Sequence, residues 1–381
     1  MSPGYQELEN ALGARSYVRL DRFGDIGDID VVVFDCDGVL LDVRESYSKA
    51  VTRTMSIIVK AVTGCDLPDG LLDGRLNYAY KRTGGFNNDW SLTYALTMRI
   101  LSELPEKQIR KLDEVAGESL KYDTSYERFR FLRRNRIQAD VPVEQLYEKL
   151  YEFAYMLDST GVEAVDSRLL VDVGLNIKSA LNYPGEVGES IVSTLFEEIF
   201  GGVDLFQLNY GLEAKFTSNR RGLIEKEKVV VTEATIERLT ELLGGNRIGI
   251  ASGSPSMTGR YALGDIINLI REDAQVWYDT VEEAQREEGV ENLHKPSPYS
   301  LVRASEPFRP YESVLYVGDS MADRLMALNA GEPEFLFAGI YGNVHGGDEA
   351  RGDFLKEGSD IVAPTVNDLP EIIERVRGES F

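Results

Sequence analysis

Residues 31–42 read VVVFDCDGVLLD, an apolar run that ends in two aspartates one residue apart and then a glycine. Asp35 and Asp37 would project side by side from a strand end, where a phosphate group and a metal ion could sit. A buried parallel strand that closes in a polar Asp-Gly turn is the plainer reading of the same letters. Three further stretches bear on the choice. RIGIASGSP, residues 247–255, carries a second apolar run to Ser252. The Ser252 hydroxyl and the backbone N–H groups of Gly253 and Ser254 could hold a phosphate, or Ser254-Pro255 could simply be an N-cap and first helical residue. HKPSPYSLVRA, residues 294–304, offers Lys295. Pointing inward, its ammonium would neutralise a carboxylate nucleophile and the phosphoryl oxygens attached to it; pointing outward it is solvated surface. VLYVGDSMADRLMALNAG, residues 314–331, ends a strand at Gly318-Asp319. Asp319 and Asp323 place two oxygen donors over that end, as a Mg2+ site requires. Ser320-x-x-Asp323 fits a capping box equally well.

Such residues converge only if a sheet brings their strand ends together. Strand-like patterns occur at 31–35, 247–252, 275–278, 314–319, 334–340 and 360–363. Helix-like patterns lie between them, as at 235–243, where Ile236, Leu239, Leu242 and Leu243 share a face before Gly244-Gly245. The alternation predicts an α/β fold, a Rossmann-like parallel sheet with helices on both faces. The middle of the chain reads as mostly helical, with helices expected at 46–62, 89–104 and 189–200. The expected organisation is a discontinuous catalytic core, 1–42 and 229–381, and an inserted helical domain, 43–228.

Composition narrows the chemistry. The 381 residues are 43% hydrophobic and show no apolar run long enough to span a membrane. The first residues, MSPGYQELENALGARSY, lack a charged-then-apolar signal pattern. Cys36 and Cys65 give no disulfide framework or spaced metal cluster, which fits a reduced cytoplasm. Two histidines, His294 and His345, leave little for histidine-based zinc sites or a Ser-His-Asp triad. A net charge of −23 argues against nucleic acid but not against a small phosphorylated metabolite bound with Mg2+.

In this order, each at the C-terminal end of an expected strand, the four signals resemble the haloacid dehalogenase superfamily of hydrolases. Asp35-x-Asp37-Gly38 matches its first motif, Ser252 its second, Lys295 its third, and Gly318-Asp319 with Asp323 its fourth. The resemblance covers about 28–42 and 229–381. The middle corresponds in placement to the helical cap that members of the first cap type carry between motifs one and two. The Asp35–Ser252 interval, 217 positions, is far longer than the usual compact cap.

The resemblance implies that Asp35 is a nucleophile forming an aspartyl-phosphate and that Asp37 is the general acid and then the general base. It implies Mg2+ held by Asp35, the Asp37 backbone carbonyl and Asp319, with Asp323 bound directly or through water. Lys295 and Ser252 would stabilise the transferring phosphoryl oxygens. An Asp two residues after the nucleophile is the phosphatase and phosphomutase pattern within the superfamily. The leading expectation is a Mg2+-dependent phosphatase. A phosphomutase, or a non-enzymatic phosphate-sensing module, remains as an alternative.

Substrate choice would then fall to the insert. Lys81, Arg82, Asn87 and Asn88, in KRTGGFNNDWSLTYALTMRIL, are candidates to close over a leaving group. A helix–loop–helix junction with a flexible Gly84-Gly85 turn, an Asp89 cap and Trp90 in the core is the competing reading. The basic run RFRFLRRNR, 128–136, reads chiefly as a solvated helix face. SNRRG, 218–222, reads as a hinge or an anion contact.

Overall fold

The computed structural model describes residues 4–378, apart from 11, 69, 87, 332 and 333. The chain divides into two compact units, residues 1–44 with 227–381, and residues 45–226.

The first unit is built on an eight-stranded sheet. Its strands are β1 (Tyr5–Glu9), β2 (Arg15–Arg19), β3 (Ile29–Phe34), β6 (Ile248–Ala251), β7 (Gln275–Val276), β8 (Ser313–Gly318), β9 (Phe335–Ile340) and β10 (Ile361–Ala363). A separate antiparallel pair comprises β4 (Leu41–Asp42) and β5 (Lys228–Val229). The sheet order is β1-β2-β10-β9-β8-β3-β6-β7, and every pairing from β10 to β7 is parallel. Parallel strands are covered on both faces, which is why their sequences are unbroken apolar runs. Val31, Val32, Val33 and Phe34 on β3 have no exposed surface, and β8 and β9 are buried along their whole length. The fold is therefore α/β with a mostly parallel central sheet.

β3 lies between β8 and β6, so the chain order reverses direction there. The C-terminal ends of strands flanking such a reversal form the crevice where open α/β sheets bind ligands. Asp35, Ser252 and Asp319 each follow directly on one of these three strands.

The β1–β2 hairpin, which joins the sheet antiparallel to β10, has no counterpart among the expected strands. Its residues, YQELE and RSYVR, are too charged to read as a buried strand, because the hairpin sits on the edge. The β4–β5 pair was likewise not expected: Leu41 pairs with Val229 and Asp42 with Lys228, in strands two residues long.

In the second unit the helices Tyr47–Thr63 and Asp89–Ser102 pack on each other, and Leu92, Tyr94, Ala95, Leu96, Met98 and Ile100 of the latter are completely or almost completely buried. The cap of that helix is Asn88, whose side chain accepts from Trp90 N at 2.8 Å, rather than Asp89. The preceding glycine pair is not a free turn. A Cβ on Gly85 would lie 2.6 Å from Asp158 O and from Gly161 N, so this loop interlocks with the one at 158–161.

The expected helix 189–200 runs as Ile191–Tyr210 but is broken at Gly202 (φ 71°, ψ 176°). Val203 N and Asp204 N, at the start of its second half, donate to the carbonyls of Asn219 and Arg220. SNRRG thus holds the break with its backbone. The run 128–136 is also divided. Arg128 is buried and donates to the carbonyls of Tyr122, Asp123 and Glu189, while Arg133, Arg134 and Arg136 are exposed. Among the described residues, no helix is long and apolar enough to cross a membrane.

One buried carboxylate in this unit makes its stability depend on pH. Glu197 accepts from Trp90 Nε1 at 2.8 Å, and burial, only partly offset by Trp90 and Tyr210, raises its carboxyl to about 7. A carboxyl raised in the folded chain binds its proton more tightly there than in the unfolded chain. It therefore costs stability progressively as the pH rises from about 4 through 7. Glu197→Gln is expected to stabilise the protein by roughly 1–3 kcal/mol at pH 8 and by much less at pH 5. Thermal melts in the two buffers check this, and equal effects at both pH values would mean that the charge is not what burial penalises.

Candidate active site

The β3 ladder continues one residue past the strand, with Asp35 N donating to Val317 O at 2.8 Å, and this fixes where the Asp35 side chain starts. Asp35 is 7% exposed. Its Oδ1 accepts from Cys36 N at 2.8 Å and from Lys295 Nζ at 2.8 Å. The chain then turns at Gly38, whose φ of +76° an L side chain adopts only with strain. The turn also brings backbone against a side chain: a Cβ on Gly38 would lie 2.0 Å from Asp319 Oδ2. Gly318 plays the same part for Asp323, since its own Cβ would lie 2.3 Å from Asp323 Cβ. Two glycines thus let two carboxylates close on the end of β3.

Lys295 points inward. Its Nζ is 2.8 Å from Asp35 Oδ1, 2.8 Å from Asp323 Oδ1 and 5.6 Å from the centre of the Tyr316 ring. Asp323, 1% exposed, is filled by protein donors. Lys295 Nζ and Tyr316 Oη, at 2.8 and 2.9 Å, reach Oδ1. Ser320 Oγ, Ser320 N and Asp319 N, at 2.6, 3.0 and 3.3 Å, reach Oδ2. Two carboxylate oxygens offer about four lone-pair sites. A direct place at a cation would require Asp323 to give up one of these partners. The capping box with Ser320 is present as well, so both readings of the Ser320-x-x-Asp323 pattern apply to one side chain.

Burial is the largest influence on Asp35 and raises its carboxyl to about 7; Lys295 pulls the other way, while Asp323 and Asp37 add to the rise. Burial disfavours the Lys295 ammonium, but Asp323 and Asp35 outweigh it and hold the group above its ordinary value. Burial would raise Asp323 too, yet Lys295, Ser320 and Tyr316 keep it below the usual carboxylate range. The Lys295 ammonium contacts Asp35 and Asp323, while Asp37 and Asp319 lie close to these carboxylates, an excess of negative charge that suits a divalent cation. Asp35, Asp319 and Asp323 each present an oxygen within 4.8 Å of the others. An all-oxygen, carboxylate-rich set of this kind fits a hard cation such as Mg2+.

The β6 loop completes the constellation, differently from its sequence reading. Ser252 is 3% exposed, and its Oγ accepts from Ser254 N at 3.2 Å. That bond engages one of the two N–H groups expected to face a phosphate; Gly253, the other, is exposed. The helix begins at Ser256, not Pro255, and Pro255 occupies the cap position without a side-chain bond. Ser254 is therefore not the N-cap. Its Oγ donates instead to Asp37 Oδ2 at 2.5 Å.

The structure brings together Asp35, Asp37, Ser252, Ser254, Lys295, Asp319 and Asp323, all in the first unit. Lys81, Arg82 and Asn88 belong to the second unit, where Lys81 pairs with Asp89 at 3.2 Å and Asn88 caps its helix. Asn87 lies outside the described residues. Two contributors had no sequence signal that singled them out. Tyr316 reads as one more apolar strand residue in VLYVGD, and the Ser254 side chain was absorbed by the Ser-Pro helix-start pattern.

A family model described as haloacid dehalogenase-like hydrolase matches residues 29–331. No curated protein matches the sequence. A solved structure, the X-ray structure of a Northeast Structural Genomics Consortium target, is similar with a TM-score of 0.60 and 19% sequence identity, covering 92% of this chain and 100% of that one. At that identity the likeness speaks to the fold alone.

The close approach of Gly38 to Asp319 can be tested directly. Gly38→Ala is expected to lower the melting temperature and to weaken Mg2+ binding at least about tenfold in isothermal titration, because Asp319 must move away. Unchanged Mg2+ affinity in a folded variant would show that Asp319 need not occupy that place.

Proposed function

Because the chain belongs to the haloacid dehalogenase-like hydrolases, we propose that it is a Mg2+-dependent phosphatase that hydrolyses a small phosphorylated metabolite through an aspartyl-phosphate on Asp35. One observation carries this reading: two carboxylates two residues apart occupy different environments. Asp35 is buried against Lys295, while Asp37 is more exposed and is held by a serine hydroxyl. Burial alone would favour the protonated form of Asp35; Lys295 and a bound cation would keep it ionised as the nucleophile, leaving the more exposed Asp37 to carry the proton.

Asp35, Asp319 and the Asp37 backbone carbonyl would hold the cation, with Asp323 supporting Lys295 behind them. When bound, Mg2+ would supply the positive charge that lets a carboxylate approach a phosphate dianion. An Asp35 oxygen attacks phosphorus, and the bond from phosphorus to the leaving oxygen breaks. Asp37 donates its proton to that oxygen, so the product departs as an alcohol. Lys295 and the Ser252 loop stabilise the charge spread over the transferring oxygens. Asp37, now ionised, takes a proton from water as the water attacks phosphorus. The aspartyl–phosphorus bond breaks, inorganic phosphate leaves, and both aspartates are restored. We assign the choice of substrate to the inserted unit, since the core residues recognise only a phosphoryl group.

Purified protein assayed with Mg2+ against p-nitrophenyl phosphate and a panel of sugar, nucleotide and short-acid phosphates tests the reading. Asp35→Asn and excess EDTA are each expected to reduce phosphate release by at least about a thousandfold. Release that survives Asp35→Asn would sink the proposed nucleophile. Turnover that required a bisphosphate activator and returned an isomer of the substrate would identify a mutase instead.

A further inference from the structure

The Ser254–Asp37 contact goes beyond a phosphate site. We infer that Ser254 is a positioning residue: its hydroxyl holds the Asp37 carboxylate in the orientation from which it exchanges a proton with the leaving oxygen. The enzyme's advantage would then be greatest on phosphate esters with poor leaving groups. This rests on the reading of Asp37 as proton carrier.

A Ser-Pro pair at a helix start ordinarily spends the serine hydroxyl on the helix. Here another element does that work. Asp279 Oδ1, from the helix Tyr278–Glu288, accepts from Ser256 N at 2.6 Å, so the first turn is capped from outside. Ser254 Oγ is released for Asp37, 217 positions earlier in the chain, at 2.5 Å. The serine is itself held at both ends. Its N donates to Ser252 Oγ at 3.2 Å and its carbonyl accepts from Tyr278 N at 3.1 Å, and the residue is 6% exposed. A hydroxyl on so constrained a backbone has few places to go.

The Asp37 backbone is also fixed, because Gly38 N donates to Leu41 O at 2.8 Å and Asp37 bridges to Leu41. Its side chain is less enclosed than that of Asp35. The Ser254 hydrogen bond restrains rotation about its side-chain bonds. An acid held in line gains most where the departing oxygen most needs a proton.

The test compares two esters of nearly the same shape, phenyl phosphate and p-nitrophenyl phosphate, the second having the better leaving group. kcat/KM reports steps through the first irreversible one, so slow breakdown of the intermediate does not enter it. In the full chain, Ser254→Ala is expected to lower kcat/KM about tenfold for phenyl phosphate and less than about threefold for p-nitrophenyl phosphate. Ser254→Thr, which keeps a hydroxyl, is expected to restore most of the loss. In an Asp37→Asn background Ser254→Ala should cost nothing further, because the serine acts through the aspartate. Melting temperatures of all variants verify that they fold, and Ser254→Cys, which replaces the hydroxyl oxygen with a poorly bonding sulfur of similar shape, carries the comparison if the Ala variant does not fold.

Equal losses on both esters, or a loss that persists beside Asp37→Asn, would overturn the inference and leave Ser254 a structural residue. A rate increase in Ser254→Ala would overturn it as well, since the contact would then be restraining Asp37 away from its work. Failure of the underlying reading looks different: turnover of either ester would survive Asp35→Asn, or the unaltered protein would hydrolyse neither.

Discussion

A single buried ammonium joins the two halves of this site. Lys295 lies between Asp35 and Asp323, 2.8 Å from each, and a buried charge is tolerated only when its partners are close and well bonded. The rest of the local structure can be read as the means of meeting that condition. Asp323 is locked by the helix that begins after Ser320 and by the Tyr316 hydroxyl, whose single proton is shared between Asp323 Oδ1 at 2.9 Å and Ala251 O on β6 at 3.1 Å. Tyr316 thereby ties β8 to β6 underneath the lysine. The surroundings increase the demand on that cation. The first unit carries 18 basic and 37 acidic side chains, against 23 and 27 in the second, so the phosphate dianion of the proposed substrate would meet an adverse net charge on the core. Its attraction has to be local.

The sheet supplies the location. Three neighbouring strands end at one level, and chain order reverses at β3, the place where open α/β sheets bind their ligands. Asp35 and Asp37, Ser252 and Ser254, and Asp319 and Asp323 reach this level because each pair follows within a few residues of a strand, while Lys295 comes from the loop that precedes the helix Tyr299–Ser305. The glycines at 38 and 318 set how near the carboxylates can come. Packing, more than charge, therefore decides the spacing, since like charges left to themselves would move apart.

Much of this was legible in the sequence because burial on both faces writes a parallel strand as an unbroken apolar run. The central strands were read within one or two residues at either end, and Asp35, Ser252 and Asp319 fell at their ends. What escaped has physical causes. β1 and β2 lie on the sheet edge, where charged residues are compatible with a strand and erase its signature. β4 and β5 are two residues each, shorter than any periodicity can register. The Ser254–Asp37 contact was not foreseen because local grammar offered only a helix cap or a backbone contact to phosphate, and the fold revealed that Asp279, from the helix Tyr278–Glu288, caps that first turn. The break at Gly202 was hidden for a related reason: its partners, Asn219 and Arg220, are distant in sequence and contribute backbone rather than side chains.

The β4–β5 pair has a consequence for how such a chain could have arisen. Asp42 and Lys228 are register partners on adjacent strands, so the points at which the chain leaves and re-enters the core are only one strand spacing apart. A two-residue hairpin turn would join them as well as the intervening 185 residues do. For the core, the entire excursion is topologically equivalent to a tight turn, and the entropy of closing a loop grows only logarithmically with its length. Material inserted at this position can therefore be exchanged, lengthened or lost with little effect on the register of the catalytic strands. Ancestry need not have been conserved on both sides of the pair at the same rate: a fixed chemical frame can be inherited while the piece spliced into its hairpin is replaced wholesale.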